Sequence, residues 1–148
     1  MADWPTDGGS GDTVRLFRVQ GTSMVPTLLP SDWLVVDCGR KPRFGDIAVV
    51  RVRDHFVSHR LVSSHPVRLQ GDALDVVERC ARGDIVGTAV AYVRGGERTD
   101  LFSGHERWAG RRLAARTWCG LVSARTSRRL EMAKSGGARA SQAERATT

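Results

Sequence analysis

The sequence predicts a mainly β protein: a compact antiparallel β domain followed by a short C-terminal helical extension. Three observations carry this. Between Val14 and Val93 the apolar residues come in short, β-branched, partly alternating runs, the period-2 signature of strands. Turn-forming residues separate those runs: Gly-Asp at 45–46, 71–72 and 83–84, and Pro30, Pro42 and Pro66. From His105 onwards the spacing changes to a helical one. There is no internal repeat and no alternation of strands with helices of the kind that builds parallel sheets.

The opening "MADWPTDGGSGDT", residues 1–13, is acidic and glycine-rich and reads as a flexible leader. The strand candidates follow in order: "VRLFRVQ", "WLVVD", "DIAVVRVR", "HFVSHRLV", "HPVRLQG" and "DIVGTAVAYV". They predict six to eight short strands within a domain spanning 14–104. Over 105–133 the residues Trp108, Ala115, Trp118, Leu121 and Val122 can share one helix face. Arg111, Arg112, Arg116, Arg125, Arg128 and Arg129 crowd much of the rest. Gly110 and Gly120 weaken that helix, so two short helices satisfy the pattern as well as one. Residues 134–148 are small and polar and are expected to be disordered.

Charge is distributed unevenly. Residues 1–104 hold 13 Lys+Arg against 13 Asp+Glu, and residues 105–148 hold 10 against 3, so the net +7 belongs to the C-terminal part. The chain is a neutral domain with a basic extension, not a uniformly basic protein. The three cysteines, Cys38, Cys80 and Cys119, form no C-x-x-C pair, which argues against a disulfide framework or a zinc site and fits a reducing compartment. No metal or cofactor is expected. No secretory h-region is evident, and no run approaches the roughly 18 apolar residues that cross a bilayer. A cytoplasmic protein is expected, peripheral at most at the inner face of the membrane.

The stretch "GTSMVPTLLP", residues 21–30, sets Ser23 on a Gly/Pro-rich corner between two extended segments. A serine hydroxyl becomes a competent nucleophile only when a base within hydrogen-bond reach takes its proton. Lys41 is the only lysine of the β domain, and its loop context "GRKPRFGD" offers little of the burial that makes a neutral lysine base. Histidine needs no such burial. Of His55, His59, His65 and His105, the residue pattern alone does not choose one. His55 and His59 would point to the same face of one strand, and His59 sits inside the apolar "VSHRLV", where a polar ring needs a partner or a task. Asp72 or Asp75, in "LQGDALD", is a candidate to orient the ring.

Taken in order, "GTSMVPTLLPSDWLVVD", "FGDIAVVRV", "VSHRLV" and "LQGDALDVVERCARGDIVGTAV" resemble the boxes of type I signal peptidases and related S24/S26-type serine peptidases, over residues 14–93. The resemblance implies the signal-peptidase-like β fold. In the bacterial branch the base is a lysine followed by arginine. Here the aligned pair is His59-Arg60, similar to the archaeal and endoplasmic-reticulum branch, which uses serine and histidine. The resemblance thus implies Ser23 as nucleophile, His59 as general base and Asp72 as orienting carboxylate. Thr22 and Met24, beside Ser23, join the candidate substrate and oxyanion set, with backbone N–H groups at the nucleophile helping to bind the oxyanion.

The function so implied is a serine endopeptidase that cuts a leader, signal or precursor peptide after a small residue. The alternative is a peptidase fold without activity that binds extended peptides or a membrane partner. Self-cleaving repressors of the DNA-damage response share the fold but use lysine. The basic segment 105–133 packs on its own domain, contacts an anionic membrane through tryptophan and arginine, or meets a nucleic acid or an acidic partner. No nucleic-acid partner is expected, because no nucleic-acid motif is present.

Overall fold

The computed structural model describes residues 14–120. Eight strands form one antiparallel sheet, as the β-branched runs predict. They are β1 Val14–Arg18, β2 Trp33–Asp37, β3 Ile47–Val52, β4 His55–Ser64, β5 Val67–Gln70, β6 Val77–Arg79, β7 Ile85–Arg94 and β8 Glu97–Asp100. The sheet order is β1-β2-β7-β3-β4-β5-β6, and β8 pairs with β7. A helix, α1, covers residues 104–120. The expected leader 1–13, the tail 134–148, and Leu121, Val122, Arg125, Arg128 and Arg129 lie outside the described residues.

Strand β7 is the hub, because it pairs with β2, β3 and β8. Its registers shift at Val35/Val36 against β2 and at Val49/Val50 against β3. Such irregularities bend a strand and raise its local twist, which suits one long strand that serves several partners. The core lies in two parts. Met24, Leu28, Leu34, Val36, Ile47, Val49 and Ala89 form the first, and Ala48, Val50, Leu61, Val67 and Leu69 form the second. Adjacent β3 residues divide between the two because successive side chains on a strand point to opposite faces.

The described residues divide after Ala114 into two units. Within the first, the buried seam of α1 differs from the one its periodicity suggests. Trp108 is 68% exposed, and Arg112 lies beside its ring, whereas Gly110 and Ala114 are buried. Small size is what fits. A Cβ on Gly110 would collide with the Arg60 guanidinium and lie 2.8 Å from the Gly45 carbonyl oxygen. Among the described residues, no helix is long and apolar enough to cross a membrane.

Candidate active site

Ser23 lies on a loop, residues 19–32, whose two ends are tied together. The Val19 N–H donates to the Asp32 carbonyl and the Ser31 N–H to the Val19 carbonyl, at 2.8 and 3.0 Å. Compact loops with close ends are packed by their own side chains, and here Met24 and Leu28 are 1% and 0% exposed in the core. The apolar residues of "SMVPTLL" thus anchor the loop while Ser23 stays half-buried. Met24 is accordingly a core residue by its side chain, which leaves its backbone N–H as the group it can offer to the substrate and oxyanion set. Thr22 is exposed, and its carbonyl accepts the Val25 N–H at 3.1 Å.

Strand β4 brings His59 to Ser23. The two are 36 residues apart in sequence, yet His59 Nε2 lies 3.2 Å from Ser23 Oγ. His59 is 4% exposed and stands opposite Ala48 of β3. The other three histidines have different surroundings. His55 is exposed at the β3–β4 hairpin, His65 contacts Ser64 and Arg82, and His105 is exposed near the start of α1. Lys41 is exposed in the segment joining β2 to β3. Burial is the largest influence on His59 and pushes the imidazole below its ordinary 6.5, against the opposing pull of Glu78 and then Asp72. The ring is therefore neutral at pH 7, the form in which it can accept a proton.

Asp72 does not hydrogen-bond His59, which corrects its expected part as the orienting carboxylate. Its two oxygens accept Arg60 Nε and Nη2 at 2.7 and 2.6 Å, and Oδ2 also accepts the Thr27 hydroxyl at 2.5 Å. The reason is alternation. Arg60 follows His59 on β4 and points to the opposite face, where a buried guanidinium requires a buried anion. Arg60 Nη1 further donates to the Gly45 carbonyl at 2.7 Å. Asp75, the second candidate, is exposed.

The turn after β5 also grips the Ser23 loop through its backbone. Ala73 N–H donates to the Ser23 carbonyl at 2.9 Å, and a Cβ on Gly71 would lie 2.5 Å from that same oxygen. Position 71 must be glycine for Ser23 to sit where it does. On the far side of the loop, Arg94 of β7 donates to both Asp32 oxygens, at 2.9 and 2.7 Å, and to the Thr27 carbonyl at 3.3 Å. Thr27, Arg60 and Arg94 are thus site-building residues that the motif reading did not single out. Arg60 was next to the chosen histidine, and its need for an anion was the available signal.

Glu78 of β6 was missed as well. Its Oε2 lies 3.5 Å from His59 Nδ1. Among the described residues, no group of three or more histidine, cysteine, aspartate or glutamate side chains is arranged to hold a metal ion. A small cavity lies beyond Arg60, lined by residues that include Thr27, Gly45, Glu106 and Gly110, and neither Ser23 nor His59 lines it.

A search of curated proteins found no match to the chain. The family described as Peptidase S24-like, in contrast, matches residues 3–86, more than half of the sequence and a range that holds Ser23, His59, Asp72 and Glu78. With the antiparallel β domain and the loop-borne serine already in place, the chain belongs to the S24-like peptidase family.

Proposed function

We propose that the protein is a serine endopeptidase in which Ser23 is the nucleophile and His59 the general base, and that it cuts a leader, signal or precursor peptide after a small residue. One observation carries the reading: a buried imidazole places Nε2 3.2 Å from the hydroxyl of a loop-borne serine. Ser23 Oγ attacks the scissile carbonyl as His59 Nε2 takes its proton. The imidazolium then gives that proton to the leaving amine, and water, activated by the same ring, releases the acyl group. Backbone N–H groups at the Ser23 turn receive the oxyanion. The reaction takes place in the cytoplasm or at the inner membrane face, and exposed Trp108 with Arg112 beside it supports peripheral contact with anionic lipid.

The test is mass spectrometry of a defined peptide library, with small residues before the candidate bonds, after incubation with the purified protein. Wild type is expected to cut, and Ser23→Ala and His59→Ala to lose at least about a hundredfold in rate while keeping the wild-type circular dichroism. Cutting by Ser23→Ala at the wild-type rate removes the assignment. Absence of cutting by any form favours the peptide-binding alternative.

A further inference from the structure

A neutral imidazole carries one N–H. If His59 Nε2 is to accept the Ser23 proton, that N–H must be on Nδ1. Nδ1 is buried and has no hydrogen-bond partner among the described residues, and a buried donor left without an acceptor is costly. With the proton on Nε2 instead, the ring would donate to Ser23 and would not be a base. The site as described so far does not decide between these two forms.

Asp72 cannot decide it, because its oxygens are taken by Arg60 and Thr27. Glu78 can. The registers Arg60↔Gln70 and Leu69↔Glu78 put His59, Leu69 and Glu78 on one face of the sheet, one strand apart on either side of β5. Glu78 Oε2 is 3.5 Å from Nδ1, and its side chain is 56% exposed on β6, which among the described residues is an edge strand paired with β5. A shift of about half an ångström brings the pair to ordinary hydrogen-bond length, and the exposed Glu78 side chain has rotamer freedom to make it.

From this geometry we infer that Glu78 is a positioning residue: it accepts the Nδ1 proton of His59 and so holds the ring in the tautomer whose Nε2 faces Ser23. The inference rests on the peptidase reading of the Ser23–His59 pair and completes it. In the reaction, the Ser23 proton moves to Nε2, Nδ1 keeps its own, and the resulting cation lies between the serine and the Glu78 carboxylate. A peptide laid across the site would also remove water from Glu78, which strengthens its attraction for the ring as charge develops. The other charged or titratable groups on the elements around the ring are Arg51 on β3, His55 on β4, Arg68 on β5, Arg79 beside Glu78, Asp32 on the Ser23 loop, Asp75 after β5 and the Arg60–Asp72 pair. Of these, Asp72 pulls on the ring charge, less than Glu78 does.

The test uses the full chain with 15N-labelled histidine, as wild type, Glu78→Gln and Glu78→Ala, with His59 resonances identified by their loss in His59→Gln. The imidazole nitrogen shifts report tautomer and titration directly. Wild type is expected to show the Nδ1–H form. Glu78→Gln should retain that form, because an amide oxygen still accepts the proton, but with the His59 midpoint moved to lower pH. Glu78→Ala should lose the preference as well. On a peptide that wild type cuts, Glu78→Ala should lower kcat by about tenfold or more with KM little changed, and the acid limb of kcat/KM should follow the NMR midpoint in both variants. An unchanged tautomer and midpoint in all three proteins overturns the inference, whatever the peptide does. A Glu78-dependent ring in a protein that cuts nothing, or cuts without Ser23, overturns the peptidase reading instead and leaves the tautomer assignment standing.

Discussion

Asp72 illustrates how a single carboxylate can be right in place and different in task. It pairs with Arg60 through two short hydrogen bonds, and the two side chains are 2% and 6% exposed. Removing one member of such a pair leaves the other buried and uncompensated, which costs about 3 kcal/mol or more. Asp72→Asn should therefore lower the urea midpoint strongly, with the catalytic loss following from a loosened loop. If Asp72 acted on His59 directly, cleavage would fall while the urea midpoint held. Ser23 was legible as a candidate from its glycine–proline corner, and His59 from the resemblance of the boxes rather than from the residue pattern, which left the four histidines open; the two lie 3.2 Å apart. Glu78 was not legible. Its approach to His59 is created by the β4–β5 and β5–β6 registers, and "DVVERC" carries no sign of them.

The Ser23 loop is held from three sides, by Met24 and Leu28 in the core, by Arg94 and by the turn at Gly71. A methyl group at position 71 has no room, since the Ser23 carbonyl oxygen occupies its place. Gly71→Ala is thus expected to cost about 1–3 kcal/mol and to lower kcat more than a stability loss of that size would. Cleavage and denaturation measured on the same preparation separate the two effects. The six strand candidates read from β-branched runs all correspond to strands. Two further strands have polar sequences, "VER" in β6 and "ERTD" in β8, and are recruited by pairing to a neighbour rather than by their own hydrophobic pattern. The β7–β8 turn did leave a sign in Gly95-Gly96, both at positive φ, in the two-residue hairpin connection that glycine favours. Helix α1 was legible as a helix but not in its buried seam, because large apolar residues were weighted over the small ones that allow close packing.

On the acid side, pH acts on the folded domain in two places with the same sign. His59 is held below its ordinary 6.5, chiefly by burial, so the folded state binds its proton less readily than the unfolded chain does. Its contribution is complete above 6.5 and declines as pH falls from there through the lowered value. Asp32 is held below its ordinary 3.8 by the Arg94 side-chain hydrogen bonds, reinforced by the Leu29 N–H and opposed by burial. Its contribution is present above 3.8 and is lost as pH falls through the lowered value. Urea titrations across pH should show stability falling in two steps on acidification. His59→Gln should remove the first step, and Asp32→Asn the second. Because Arg94 is 40% exposed, salt should weaken the second step more than the first. Peptide cleavage should persist somewhat below the pH at which a free imidazole would be half protonated, since the neutral base survives there.

The central claim is that Ser23, activated by His59, is the atom that attacks. The most direct measurement is acid-quenched mass spectrometry of the protein mixed with an ester analogue of a cleaved peptide, whose fast acylation lets the covalent intermediate accumulate. The account predicts an added acyl mass on the fragment that contains Ser23 in wild type and none in Ser23→Ala. An acyl group on another residue, or ester hydrolysis by Ser23→Ala at the wild-type rate, would contradict it.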